Sequence, residues 1–434
     1  MSPTRPSLPT DPIKPSAYLK WWVCVLLLLA SALNYMDRQT LSQTGKRITD
    51  YFHLSHEQFG SLEGAFNAAF AIAVFVVGWM ADRWNIRVAY PTIVVLWSLA
   101  GFATGFAESF MMLLACRFAL GLFEAGNIPF GVLTVKRILR PEERALGNGM
   151  FQSGSALGAI ITPWVVLACV WALNESGNED VGMAWRLPFR VVGAAGIVWA
   201  VLWLLTVKSR HVAAPPAPVV TDTYWAIWRN RRFWVSLIVV VSINSAWRSF
   251  GFWLPKLLQE GKGYGENETA PITSGFFAAA DAGSLAVGAA VLWLARRGMT
   301  LPRARLICFT GCTGLTAIAL VVATLPRGWE LIAALLLLGF GALGLFPIYY
   351  ALSQEISSRH QGKVTGTLSC LNAAYLALLF PLQGKLIDYL GSFSVALGVA
   401  GLFPIVGLFA LAFGWKDAPT ASPHLARQSS DTAS

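Results

Sequence analysis

Charge is scarce in this 434-residue chain: Asp, Glu, Lys and Arg make up 13% of it, about half of the roughly 25% that a soluble domain carries. That shortage excludes a water-facing surface over most of the length. Histidine is scarce too, and His53, His56, His211, His360 and His424 all fall in expected loops or tails, so none is read as a proton relay in an apolar segment. Six cysteines (Cys24, Cys116, Cys169, Cys308, Cys312, Cys370) lie in apolar stretches without metal-ligand spacing. They read as small buried hydrophobes and imply neither a disulfide framework nor a metal site. A Walker sequence, a Gly-rich phosphate loop and a nucleophile–base set are all missing, which argues against direct use of ATP and against an enzyme. No cofactor is expected. No cleavable signal precedes the first apolar run, so that run itself is expected to direct insertion.

What the chain has in place of charge is hydrocarbon: 55% of its residues are hydrophobic. Apolar runs recur that are each long enough to cross about 30 Å of bilayer core. Lipid offers the backbone no hydrogen bonds, so such runs are read as helices. Twelve are expected, at 19–44, 58–81, 88–107, 110–137, 145–172, 188–207, 232–259, 271–295, 304–325, 329–355, 364–389 and 393–414. Counting those at span ends, roughly 22 of the 33 Lys and Arg fall on the side of the N-terminus, even loops and C-terminus, against about 8 on the other side, the rest lying deeper inside spans. The bias places both termini in the cytoplasm. It also accounts for the formal charge of +10 without a nucleic-acid partner. The longest polar break holds Ala213-Ala214-Pro215-Pro216-Ala217-Pro218 and divides the spans six and six, as in transporters built from two repeated halves. The expected organisation is a tail over 1–18, a six-helix bundle over 19–207, a linker over 208–231, a second bundle over 232–414 and a disordered tail over 415–434.

Charges inside such spans are costly and usually functional. The first span holds Asp37 next to Arg38. Neighbours on a helix point about 100° apart, so each is expected to face its own partner, unless both sit solvated at the outer boundary. The fourth span holds Arg117 and Glu124, seven apart and therefore on one face, with Gly121 and Gly126 nearby. They are either part of a binding cavity or a structural bridge between helices. Arg248 in the seventh span is either a second cation for cargo or a helix–helix bridge, with Asp281 its natural partner.

Gly78-Trp79-Met80-Ala81-Asp82-Arg83-Trp84-Asn85-Ile86-Arg87 resembles the cytoplasmic loop pattern G-x-x-x-D-R-x-G-x-R of the major facilitator superfamily, with Asn85 at the second glycine. Asp82, Arg83 and Arg87 are thereby expected to form a cytoplasmic gate. Within that superfamily, four segments resemble the anion:cation symporter family of hexuronate and galactonate importers. These are Asn34-Tyr35-Met36-Asp37-Arg38, the run from Arg117 to Pro129, Pro141-Glu142-Glu143-Arg144, and the run from Gly149 to Pro163; Trp253-Leu254-Pro255-Lys256 is similar as well. The resemblance implies proton-linked carboxylates at Asp37 and Glu124, an arginine tuning them at Arg117, and substrate contacts at Tyr35 and Arg38. It places further contacts at Asn372 and Tyr375, and polar or aromatic candidates at Asn67, Gln152, Asn244, Trp247 and Arg248. Phe70 stands where the family carries a tyrosine.

The fold expected is therefore an all-α polytopic membrane protein of twelve transmembrane helices in two six-helix halves. Its expected work is proton-coupled import of an organic anion such as a hexuronate or aldonate, by a monomer in the cell membrane. In the empty outward-facing carrier Arg117 is expected to lie near Asp37. The alternatives are carriage of another small carboxylate or organophosphate, or a membrane sensor that transports nothing.

Overall fold

A computed structural model describes residues 17–80, 84–140, 142–175, 181–208, 212, 224–356 and 361–415. Among them are twelve helices long and apolar enough to cross a membrane. In the first half these are α1 (Tyr18–Gln43), α2 (His56–Val77), α3 (Ile86–Thr104), α4 (Phe110–Ile138), α5 (Leu146–Glu175) and α6 (Gly182–Thr206). The second half comprises α7 (Arg231–Gly261), α8 (Glu266–Arg296), α9 (Leu301–Thr324), α10 (Trp329–Gln354), α11 (Lys363–Leu390) and α12 (Phe393–Gly414). Leu205 and Leu285 are 73% and 77% exposed on the outside, while Arg117 and Glu124 are 1% and 2% exposed within. An apolar rim around a charged interior suits lipid outside and a polar route inside.

The packing repeats between the halves. Helices α1 and α5, α2 and α4, and α3 and α6 pair in the first; α8 and α10, and α9 and α12, pair correspondingly in the second, where α7 packs against α11 but more extensively against α12. The halves meet chiefly along α2 against α11 and α5 against α8. Two glycines permit the first of these contacts: a Cβ at Gly64 would lie 2.8 Å from the Ala377 carbonyl oxygen, and one at Gly60 would strike Phe380. Small residues let backbones approach where lipid supplies no hydrophobic drive between helices.

Three local features differ from the apolar-run reading. The segment after α1 folds into a short helix, Gly45–Phe52, ended by His53 in the left-handed region at φ 51°. Helix α6 starts before residue 188 and carries Pro188 inside it. Its early turns are held because Arg186 donates to the Ala107 carbonyl at 3.0 Å and Arg190 to that of Gly105 at 3.0 Å, satisfying the orphan carbonyls that follow α3. Part of the expected linker, Tyr224–Arg229, is a 3-10 helix.

At the end of the bundle away from the termini the halves are tied together. Arg47 makes a two-pronged bridge to Glu266 (2.6 and 2.7 Å), Lys256 donates to Thr49 Oγ1 at 2.9 Å, and Ser42 donates to the Phe252 carbonyl at 2.6 Å. His56 sits at the start of α2 between Asp388 (2.7 Å) and Glu260 (3.0 Å). It is no relay in an apolar segment; it is a bridge between the halves. At the other end, the pairs Lys20–Glu143 and Arg305–Glu355 each stay within one half. The Arg140 amide and then Lys20 hold the Glu143 carboxyl below its ordinary value.

Gly64→Val tests the contact between the halves. Its branched side chain has no room against the Ala377 backbone, and overpacking of this kind costs about 1–3 kcal/mol. A lower melting temperature in detergent, with faster labelling of a cysteine placed at Ser42, is expected. An unchanged variant would contradict the close approach.

Candidate transport site

Asp37 and Arg38 leave α1 in different directions, as their helical spacing requires. The Arg38 guanidinium lies over the rings of Phe66 (4.5 Å) and Phe70 (5.2 Å), and its Nε donates to Glu124 Oε2 at 2.6 Å. Phe70 therefore offers an aromatic face to a cation where a hydroxyl contact was the family expectation. Glu124 is sealed behind Arg38, with its side chain fully buried and its Oε1 unpartnered among the described residues. The helical run of α4 breaks directly after it, at Ala125 and Gly126.

A second charged cluster centres on Glu63 of α2, which is 3% exposed. Its Oε2 accepts from Arg117 at 2.7 Å and its Oε1 from Arg248, also at 2.7 Å. Asn67 donates to the Glu63 backbone carbonyl at 2.7 Å and to Oε1 at 3.3 Å. One carboxylate thus joins α2 and α4 of the first half to α7 of the second. Arg117 also lies over Phe66, at 5.1 Å, on the ring that carries Arg38. In the described conformation Arg117 makes its ion pair with Glu63. One expectation is corrected here: Arg248 has Glu63, not Asp281, as its partner.

Glu63 escaped the reading of the sequence, although a carboxylate within the expected second span meets the test applied to Asp37 and Glu124. Asp37 is 2% exposed, and neither carboxylate oxygen has a hydrogen-bond partner among the described residues. A Cβ at Gly101 would sit 2.6 Å from Asp37 Oδ1, so the carboxyl points at α3.

Between the halves lies a small cavity, part of it open. Tyr35, Arg38, Gln39 and Ser42 of α1 and Glu63 of α2 line one side; Trp247, Arg248, Gly251 and Phe252 of α7 and Phe277 of α8 line the other. Trp247 is stacked on Phe276 at 5.9 Å. Expected contacts at Tyr35, Arg38, Trp247 and Arg248 therefore converge. Others do not reach this cavity: Asn67 supports Glu63, Asn244 bonds the Val240 carbonyl of its own helix, and Tyr375 bonds Ser245 at 2.7 Å. Gln152 is exposed on α5, and Asn372 keeps a buried oxygen without a partner among the described residues. Of the expected gate, Asp82 and Arg83 lie outside the described residues. Arg87 donates to the Val207 carbonyl at 3.0 Å.

Residues 27–373 match the Major Facilitator Superfamily. The hexuronate transporter of Escherichia coli (strain K12) is 26% identical over 410 residues, covering 90% of this chain and 92% of that protein. The probable L-galactonate transporter of the same strain is 26% identical over 414 residues, covering 90% and 88%. A probable sulfoacetate transporter of Cupriavidus necator is 26% identical over 423 residues, covering 90% and 92%. Among solved structures, a bacterial homolog of the human lysosomal transporter Spinster, in an inward-facing and occupied conformation, superposes with a TM-score of 0.77 at 19% identity. That match covers 93% of this chain and all of the other, and it establishes the shared fold. These curated relatives are named as transporters, not enzymes.

The bridge at Glu63 has an energetic consequence. Arg117→Gln leaves the buried carboxylate with Arg248 alone and is expected to cost about 3 kcal/mol of stability. Adding Glu63→Gln should recover part of that loss, a non-additive result in a thermal-stability cycle. Simple additivity would contradict the bridge.

Proposed function

The chain belongs to the Major Facilitator Superfamily, and from that premise we propose that it imports a small organic anion, a hexuronate or aldonate sugar acid, together with protons. The observation that carries this reading is the cavity between the halves, where Arg38 and Arg248 each present a guanidinium held from behind by a buried carboxylate. Relatives named for hexuronate and galactonate transport support the same substrate class. On this reading the termini are cytoplasmic, the protein works as a monomer in the cell membrane, and the end closed by Arg47–Glu266 faces outward. The described conformation is then inward-facing. Bundles over 19–207 and 232–414 rock about the cavity, and 208–231 connects them.

Coupling follows from sharing one guanidinium between two anions. The cargo carboxylate docks on Arg38, whose planar fork suits it. Drawn toward cargo, Arg38 loosens its hold on Glu124. A buried carboxylate without a partner is costly, so Glu124 takes a proton as the cargo binds. Asp37, which already lacks a partner, is the second proton site. With both neutral, the halves close over a cavity in which Glu63 and the cargo carboxylate are each paired with a guanidinium. Tyr35, Gln39 and Ser42 meet the sugar hydroxyls, and Trp247 and Phe277 meet its apolar face. When cargo leaves, Arg38 returns to Glu124 and the proton departs.

In proteoliposomes with an inward proton gradient, Glu124→Gln should lose uphill accumulation of a labelled sugar acid while retaining counterflow exchange. A variant that still concentrates substrate would remove Glu124 from the coupling step. The labelled panel of glucuronate, galacturonate, galactonate, gluconate and lactate assigns the cargo; uptake confined to lactate would refute the sugar-acid class.

A further inference from the structure

His56 belongs to the first half, and both of its ring nitrogens meet carboxylates of the second. Nδ1 lies 2.7 Å from Asp388 Oδ1 on α11, and Nε2 lies 3.0 Å from Glu260 Oε2 on α7. We infer that these three side chains form a proton-binding site separate from Glu124 and Asp37, filled while this end of the bundle is closed and emptied as it opens. The inference stands on the packing of the two halves and is independent of the cargo.

A neutral imidazole carries one N–H, and an ionised carboxylate only accepts. With His56 neutral, one ring nitrogen would turn its lone pair on a carboxylate oxygen at 3.0 Å or less. One more proton removes that repulsion, and the imidazole, the most basic of the three groups, is where it rests. The surroundings hold the two carboxylates in place. Asp388 Oδ1 also accepts from the His56 amide at 3.0 Å and its Oδ2 from the Glu57 amide at 2.8 Å, which caps the start of α2. Glu260 Oε1 accepts from Lys256 at 2.8 Å, and Lys256, itself 1% exposed, donates onward to Thr49. Rings of Phe393 and Trp253 lie beside the imidazole at 5.1 and 6.3 Å and add no charge. Glu57, on the same turn of α2, is exposed. With the proton bound, His56 and Lys256 face Glu260 and Asp388, two cations against two anions. Without it the cluster keeps a surplus negative charge. A Cβ at Gly384 would strike the His56 carbonyl, so the first turn of α2 is seated directly on α11.

Opening this end carries α2 away from α7 and α11. His56 then leaves both carboxylates at once and returns to the ordinary imidazole value of about 6.5. Below that pH the proton is bound in both conformations, and the latch has its full strength. Above it, closing must take up a proton. Each further pH unit then favours the open form by up to about tenfold, until the closed form itself loses the proton. With this end facing outward, as proposed above, the proton arrives from and returns to the same side. It does not cross with cargo; it sets how readily the carrier reopens, less so in acid and more so in base.

Nitrogen NMR of the full-length protein, labelled at histidine, reads the site in wild type, with His56 assigned by its absence in His56→Lys. At about pH 7.5 the His56 ring should still carry protons on both nitrogens. A ring that loses its proton near pH 6.5 would overturn the inference. Spin labels at Asp50 and Tyr389, exposed positions on opposite halves at this end, report opening. From pH 6 to pH 8 the ratio of open to closed should rise by about threefold or more with His56 present. His56→Lys holds its charge across that range and should flatten the rise. A merely structural role for His56, or a rise owed to Asp37 and Glu124, would leave the slope unchanged in His56→Lys and overturn the inference.

Discussion

A guanidinium cannot stand unpaired in the low-dielectric interior of a helix bundle, and here that constraint governs both architecture and chemistry. Arg38 is answered by Glu124, and Arg117 and Arg248 share Glu63. Through these pairs α1 is tied to α4, and α2 and α4 are tied to α7 across the cavity. Breaking a buried pair by removing one partner costs several kcal/mol, and of these three pairs it is Arg248–Glu63 that crosses between the halves, so movement of one half against the other must supply those two charges with a substitute. On the proposed reading, cargo and a proton are those substitutes. The same pairs that brace the resting protein thereby make movement conditional on what has bound.

The closed end of the bundle is built on a different balance. Arg47–Glu266 and His56 between Glu260 and Asp388 are partly exposed contacts, and water and salt screen such pairs. Weak latches of this kind can be exchanged for hydration when the end opens, whereas the buried pairs cannot. Glycine contacts along α2 and α11 add close packing between the halves. Two further ties at this end, Lys256 to Thr49 and Ser42 to the Phe252 carbonyl, are buried and add to its closure.

Much of this was legible in the sequence because lipid imposes so few choices. Twelve apolar runs had to be helices, and the helices observed match them closely except where polar flanks continue the turn, as Arg186 and Arg190 do at the start of α6. Arg38, Arg117, Glu124 and Arg248 stood out because charge inside a span is rare. Their pairing was not legible, since the 3.6-residue period tells which residues share a face but not which helix that face meets. Glu63 shows the limit plainly. It satisfied the same rule, but no recognised motif drew attention to it, and only the approach of α4 and α7 reveals it as a shared counter-ion. Asp37 was read correctly as buried charge, yet its direction toward Gly101 depends on how closely α3 packs. Asn244 and Tyr375 were assigned to cargo by position along the helix, and packing turned each toward its own scaffold.

The central claim is that an organic anion and a proton occupy this charged interior together. Proteoliposomes loaded with a pH-sensitive dye and given no imposed proton gradient test it most directly. Adding the transported sugar acid outside should acidify the lumen, and Arg38→Gln should abolish the signal. Accumulation of the sugar acid with no change in internal pH would contradict the account.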